Sequence, residues 1–432
     1  MYSDISQIFI DKLDGKEVTV RGWVYRHRVS GNMAFAVIRD ATGIIQATIK
    51  KDKVDEKGWK DSSEAYVESS VIISGTVKKD ERAPGGYELQ VSRFETVWRG
   101  EPFPIAKDLS EEFLLDVRHL WMRSQKLSNI MKARHHITNY LREFFDKEGF
   151  WEIAPPMITR SGCEGGSTLF EMNYFGEKAY LTQSSQMYAE VFVFSLGKVF
   201  VLAPSFRAEK SRTIRHLAEY WHLEPEMAWY DQKMNMEVQE NMVEYAVQKM
   251  VKEHPDLLKA CGRDPETLAK VVVPFPRMDY AKAIERVNEL AGSEKMKFGD
   301  DFGADEEAIL TKEYEVPLFV HNFPKEIKAF YMREDPNKPG TVLNADLLAP
   351  AGHGEMIGGS ERIWKLDELE ARMKEQNLNI KDYQWYVDLR KYGSVPHSGY
   401  GLGIERFVKW MLNLDHIRDT IPFPRTINRC YP

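Results

Sequence analysis

Two short segments, Phe206-Arg207-Ala208-Glu209 and Arg215-His216-Leu217-Ala218-Glu219-Tyr220, gather guanidinium groups, an imidazole, carboxylates and an aromatic ring between positions 206 and 220. The stretch before them, Gly197 to Leu202, reads as a strand, and Trp221 to Trp229 reads as another. A charged loop between two strands suits a bound nucleotide. A guanidinium forks onto phosphate oxygens, and a flat ring lies on a purine. From this stretch alone, a hairpin with ordinary surface charges is an equal reading.

Two other segments change that balance. Gly399-Tyr400-Gly401-Leu402-Gly403-Ile404-Glu405-Arg406 sets three alternating glycines before a helical pattern with Phe407, Val408, Met411 and Leu412 on one face. Glycine lets a backbone come close to a ligand, and the helix would hold Arg406 beside it. Gly149-Phe150-Trp151-Glu152-Ile153-Ala154-Pro155-Pro156 follows an amphipathic helix carrying Leu127, Ile130, Ile137, Leu141, Phe144 and Phe145, with Gly149 as its stop. No phosphate-loop pattern and no dinucleotide-fold glycine pattern occurs.

In this order and at these separations, the three segments resemble the three signature motifs of class II aminoacyl-tRNA synthetases. Such enzymes join an amino acid to the α-phosphate of ATP with loss of pyrophosphate, by positioning and charge stabilisation rather than covalent work, helped by Mg²⁺. The resemblance implies catalytic roles for Arg207, Glu209 and Arg406. Arg207 bonds the α-phosphate and Glu209 the adenosine end, with His216 and Arg406 near the outer phosphates. Tyr220 and the Arg406 guanidinium sandwich adenine, and Leu217, Gly403 and Glu355 complete the ATP site. Asp346 and Glu355, flanking Leu347 to Gly354, are the candidate metal carboxylates, since Mg²⁺ takes oxygen ligands and keeps waters and phosphate oxygens. Two surface acids beside a loop are the alternative.

The elements around this site follow from patterning. The 432 residues suggest two or three domains. A 43% hydrophobic and 29% charged composition is that of a soluble globular chain. No apolar run approaches membrane-spanning length and no signal peptide is visible, so a cytoplasmic protein is expected. Cys163, Cys261 and Cys430 are scattered, which indicates neither a disulfide framework nor a zinc site. The net charge of −7 excludes bulk electrostatic capture of RNA. Residues 1–100 hold 16 Lys and Arg against 15 Asp and Glu, leaving −8 on the remainder.

Glu17–His27, Met33–Arg39, Ile44–Ile49, Val71–Val77 and Tyr87–Trp98 read as five short strands, which suggests a small barrel of the OB type. Another small β-barrel is the alternative. Residues 1–99 are then the barrel, 100–125 a hinge, and 126–432 a catalytic domain with an antiparallel sheet flanked by helices, including helices near 236–254 and 365–376. The fold class is α+β. With the second half considered, the barrel resembles the anticodon-binding barrel of the aspartate, asparagine and lysine synthetases. On that resemblance, Phe35 and Gln46 meet anticodon bases, with Arg26 and Arg28 beside them. Phe35 in an alternating strand could equally be core.

The amino acid can be argued further. Aspartyl enzymes hold an anionic side chain with a lysine in a Gln-Ser-Pro-Gln-x-x-Lys segment. Here Gln183-Ser184-Ser185-Gln186-Met187-Tyr188-Ala189 puts Ala189 at the lysine position, and Glu224 stands where an aspartate is found. Removing a cation and lengthening an acid favours a neutral carboxamide, donating to Glu224 and accepting from Arg362. Ser161-Gly162-Cys163-Glu164-Gly165-Gly166-Ser167 suits a loop closing over a cation, or else a surface turn. By resemblance, Glu164, Ser184 and Gln186 contact the α-amino group. Residues 323–332, 383–396, 417–425 and 429–432 are similar to asparaginyl enzymes of the archaeal and eukaryotic branch. The expected partners are asparagine, ATP and tRNA(Asn), with a second copy of the chain in a homodimer. An aspartyl enzyme, an ammonia-dependent asparagine-forming paralogue, which lacks the barrel, and a catalytically dead tRNA-binding or regulatory protein are the rivals.

Overall fold

The computed structural model describes residues 2–105, 109–163, 168–210 and 213–432. They divide into two compact units, Met1–Leu114 and Leu115–Pro432.

In the first unit, β1 (Glu17–Ser30), β2 (Met33–Arg39), β3 (Ile44–Lys50), β4 (Ser70–Lys79) and β5 (Tyr87–Trp98) close a barrel in the order β1-β2-β3-β5-β4. Alternation drives this: Val18, Val20, Ala34, Ala36, Ile38, Ile45, Ala47, Ile73 and Leu89 point inward and are buried. At Gly75, where the register against β5 shifts, a Cβ would lie 2.1 Å from the Gln90 carbonyl oxygen, so only glycine lets the strands close. Two helices lie outside the sequence expectation. Ile5–Ile10 buries Ile5 and Ile8, and Glu56–Glu64 starts where the Asp55 side chain accepts from the Gly58 N–H at 2.6 Å. The second has Trp59 as its one large apolar residue, so periodicity could not reveal it.

In the second unit, the helix Gln125–Lys147 buries Leu127, Ile130, Ile137, Leu141, Phe144 and Phe145, capped by Ser124 and ended by Gly149 at φ 74°. An eight-stranded sheet follows. Its strands are β6 (Trp151–Glu152), β10 (Lys198–Phe206), β11 (Glu219–Ala228), β12 (Arg277–Asp279), β13 (Leu318–His321), β14 (Asn344–Ala349), β15 (Gly354–Glu361) and β16 (His397–Gly403). Their order is β12-β13-β14-β15-β16-β11-β10-β6, antiparallel except at the β12–β13 and β10–β6 pairs. Three short strands, β7 (Ile158–Thr159), β8 (Glu171–Tyr174) and β9 (Glu177–Leu181), form a separate sheet.

One face of the large sheet, with Leu223, Leu402 and Ile357, packs on the helices Gln125–Lys147 and Gln232–Glu253. The other face is polar. The helix expected near 236–254 begins four residues earlier, capped by Asp231, and that near 365–376 spans Leu366–Glu375. The unit boundary falls inside 100–125. From Leu115 onward the chain is tied to the second unit, where buried Arg118 donates to the carbonyls of Pro422, Arg418 and Ile421 at 2.9–3.1 Å. Among the described residues, no helix is long and apolar enough to cross a membrane.

Leu141 is fully buried in the core under the sheet. Leu141→Ala is expected to cost about 2–5 kcal/mol. Urea titration followed by tryptophan fluorescence measures it, and a cost below about 1 kcal/mol would mean that the helix does not anchor the sheet.

Candidate active site

The polar face of β11, β15 and β16 floors a cleft of about 460 Å³. The pairing register explains its shape. His222 lies opposite Gly403 and Glu226 opposite Gly399. A Cβ at Gly399 would come within 2.2 Å of the Glu226 carboxylate, and one at Gly401 within 2.4 Å of His222 Nε2. Two of the three alternating glycines therefore make room for protein side chains. The sequence reading, which gave that space to a ligand, is corrected for Gly399 and Gly401. At Gly403 the nearest atoms to such a Cβ belong to the Arg406 side chain, at 3.7–3.9 Å, which is ordinary contact.

The nucleotide-type residues gather at one end. Arg207 follows β10, its N–H bonded to the Ala218 carbonyl at 3.0 Å. Its guanidinium carbon sits 5.7 Å from the Tyr220 ring centroid. Glu209 and His216 face each other at 3.6 Å across the loop. Burial and then the Arg406 charge push the His216 imidazole below its ordinary range, so it offers a hydrogen bond rather than a cation. Leu217 is buried against Ile417 and Ile421. Arg406, in the first turn of the helix Ile404–Met411, pairs with Glu355 at 2.8 Å.

Asp346 on β14 and Glu355 on β15 meet at one point: a Cβ on Gly358 would lie 3.5 Å from Asp346 Oδ1 and 3.4 Å from Glu355 Oε1. Lys328 Nζ is 2.7 Å from Asp346. Burial raises Asp346 to about 7 despite Lys328. Burial acts the same way on Glu355, but Arg406, Lys328 and Arg215 outweigh it and bring the group down to about 2. No group of three metal-ligating side chains occurs among the described residues. Two carboxylates at one point fit a hard cation that keeps waters and phosphate oxygens.

The other end of the cleft is built around Glu224, 3% exposed. Its carboxylate accepts from the Ser184 hydroxyl and from the Ser185 N–H at 2.8 Å, with His222 Nδ1 at 3.2 Å. Arg362 forks onto Glu226 at 2.5 and 3.2 Å and donates to Ser360 at 2.7 Å, which leaves two of its five N–H groups. Gln186 opens the helix Gln186–Leu196 and lines the same cleft. Ala189 is fully buried. Glu164 lies outside the described residues. Every other cleft residue singled out in the sequence is brought to this one cavity.

In the barrel, Arg26, Arg28, Phe35 and Gln46 line a separate groove of about 580 Å³. Phe35 alternates with buried Ala34 and Ala36 and faces outward, so the core reading of this ring does not hold. Arg28 is its cross-strand neighbour, its guanidinium carbon 5.3 Å from the ring centroid. Arg26, Val37, Gln46 and Glu88 form the adjacent row across four strands.

Residues 110–427 match the family described as tRNA synthetases class II (D, K and N), and residues 18–97 match the OB-fold nucleic acid binding domain. An asparagine–tRNA ligase of Thermoplasma acidophilum is 49% identical over 99% of both chains. One of Pyrococcus abyssi is 50% identical over 98% of this chain and 97% of its own. The chain belongs to the asparagine–tRNA ligase family of class II synthetases. The crystal structure of asparaginyl-tRNA synthetase from Pyrococcus horikoshii complexed with asparaginyl-adenylate superposes with TM-score 0.93 at 48% identity, covering 98% of this chain and 97% of that one. A putative aspartyl-tRNA synthetase from Leishmania major, 26% identical over 100% of this chain and 94% of that one, still reaches 0.89. The fold is thus common to both kinds of enzyme, and the pocket side chains must separate them.

Three residues of this family member's site escaped the sequence reading: Glu307 and Lys328 in the cleft, and Glu226, fully buried against Arg362. Glu307 bonds Arg215 at 2.6 Å and accepts from the Glu355 N–H at 2.7 Å, which ties the loop after β10 to β15. It follows Asp305 and Glu306 in a first helical turn, where acids are ordinary. Lys328 stands in a segment quoted for its likeness alone, and Glu226 looks like one more acid on a strand. For Glu307 and Lys328 spacing gives no signal, whereas alternation along the strand puts Glu226 on the same face as Glu224, a signal that could have found it.

Proposed function

We propose that this chain attaches L-asparagine to tRNA(Asn) in two steps. The asparagine carboxylate attacks the α-phosphorus of ATP, the bond to the β-phosphate oxygen breaks, and pyrophosphate leaves. The terminal ribose hydroxyl of the tRNA then attacks the carbonyl carbon of the adenylate, and AMP leaves. The observation that carries this reading is Glu224: a buried carboxylate facing the cleft, fixed by Ser184 and Ser185, while position 189, a lysine in aspartyl enzymes, is a fully buried alanine. A carboxamide NH₂ donates to such an anion, whereas a substrate carboxylate is repelled by it. Arg362, held against Glu226, offers its remaining N–H groups to the amide oxygen.

Arg207 and Arg406 orient the phosphates and stabilise the charge that builds at the α-phosphorus. Tyr220 stacks on adenine, Glu209 and Leu217 hold the adenosine end, and His216 hydrogen-bonds the outer phosphates. The backbone at Gly403 approaches the nucleotide. Ser184, Gln186 and Glu164 meet the α-ammonium. Asp346 and Glu355 would hold Mg²⁺, which shields phosphate charge when bound. The barrel, Arg26, Arg28, Phe35 and Gln46 included, reads the anticodon by stacking and edge contacts, and it separates this chain from asparagine-forming paralogues. A cytoplasmic site follows from these substrates. A homodimer is supported by exposed apolar residues of the second unit, Trp151 on the edge strand β6, Ile158 on β7, and Phe192 and Leu196 on the helix Gln186–Leu196 among them.

Charging of tRNA transcripts tests the reading. A transcript with the GUU anticodon is expected to accept asparagine and not aspartate, and charging with aspartate alone would refute it. In the barrel, Gln46→Ala and Phe35→Ala are each expected to raise the KM for tRNA by about 5- to 100-fold, the worth of one stacked or read base, with tRNA-independent ATP–pyrophosphate exchange unchanged. A fall in that exchange would show that these residues support the fold instead.

A further inference from the structure

Behind Gln186 lies a fully buried carboxylate that the chemistry above does not use. Glu190, one helical turn on, is 0% exposed, and its Oε1 is 3.0 Å from Gln186 Nε2. The Tyr386 hydroxyl lies 2.8 Å from both oxygens, Arg390 Nη2 is 2.5 Å from Oε2, and His397 Nε2 is 2.9 Å from it. Four groups thus fix this anion in one place, and Arg390 itself is anchored to the Ile363 carbonyl at 2.9 Å.

A side-chain amide has a donor end and an acceptor end. An ionised carboxylate carries no hydrogen, so the end of Gln186 facing Glu190 must be the NH₂ group. The carbonyl oxygen is then left for the cleft that Gln186 lines. Buried polar networks of this kind select one orientation because the alternative leaves two acceptors facing each other without a proton.

We propose that Glu190 is a positioning residue that locks the Gln186 amide with its oxygen toward the cleft, where it accepts from the α-ammonium of the amino acid. Tyr386, Arg390 and His397 hold Glu190 in turn. This rests on the asparagine-activating reading, and exchange by the wild-type enzyme reports on that reading separately.

Glu190→Gln replaces the acceptor with a group that can donate, so the Gln186 amide turns and presents its NH₂ to an ammonium. In ATP–pyrophosphate exchange the KM for asparagine is expected to rise about tenfold or more, the cost of one mispaired buried group, with kcat and the KM for ATP within about twofold. Succinamate, which is asparagine without its α-amino group, should inhibit wild type and variant with the same constant. A general loosening of the pocket would weaken both compounds. The swap Gln186→Glu with Glu190→Gln restores an acceptor toward the cleft and is expected to recover most of the asparagine affinity. Equal weakening of asparagine and succinamate, or a swap no better than Glu190→Gln alone, would overturn the assignment. If Glu190→Gln does not fold, the swap is compared with Gln186→Glu alone. A KM about tenfold lower in the swap supports the assignment, and equal values overturn it.

Discussion

Arg207→Ala is expected to lower kcat for ATP–pyrophosphate exchange by about 10³-fold, with a smaller change in the KM for ATP. Arg207 stands at the end of β10, its backbone bonded to Ala218 and its guanidinium near the Tyr220 ring. The group is therefore placed before substrate arrives, and its charge acts on the phosphate where negative charge accumulates. One preorganised donor contributes about 3–4 kcal/mol in such a setting. Arg207→Lys should recover only part of the loss, because an ammonium cannot fork onto two oxygens. Steady-state exchange kinetics measure this. A change confined to the KM for ATP, with kcat intact, would make Arg207 a ground-state binder and remove it from the catalytic step.

The second large effect is at Glu224. Glu224→Gln keeps the shape of the side chain but puts an NH₂ where both oxygens now accept. Either the Ser185 N–H or the asparagine carboxamide then faces a donor. The kcat/KM for asparagine is expected to fall by about 10²–10³-fold, since a buried donor left unpaired beside a former charge costs more than an ordinary hydrogen bond. The KM for ATP should hold, because the nucleotide residues gather at the other end of the cleft. Aspartate should gain in relative terms, as the variant no longer presents a fixed anion to its side chain. An unchanged kcat/KM for asparagine would show that discrimination lies elsewhere.

The legible parts of this chain were those with a repeating physical signal. Alternation placed all five barrel strands, two of them, Met33–Arg39 and Tyr87–Trp98, to the residue. The apolar stripe from Leu127 to Phe145 gave the long helix, and Gly149 gave its end. The helix Glu56–Glu64 was not legible, because one tryptophan makes no stripe. In the cleft, the charged residues of the loop after β10, and Arg406 after β16, were found because charge in a strand-bounded or glycine-rich setting is unusual. Glu307 and Lys328 were not found, because each reaches the cleft only through long-range pairing that local sequence does not encode, whereas Glu226 shares a strand face with Glu224 by alternation and was passed over. The alternating glycines were noticed for a sound reason and given an incomplete explanation. They make room for Glu226 and His222 as well as leaving Gly403 beside Arg406.

The central claim is that the Glu224 pocket selects a carboxamide over a carboxylate. ATP–pyrophosphate exchange with asparagine and aspartate side by side, without tRNA, tests it most directly. Exchange with asparagine and at least about 10³-fold less with aspartate is the predicted result, the discrimination a buried fixed hydrogen-bond pattern supports. Equal exchange, or exchange with aspartate alone, would contradict the account and mean that the substrate side chain meets a cation other than one at position 189.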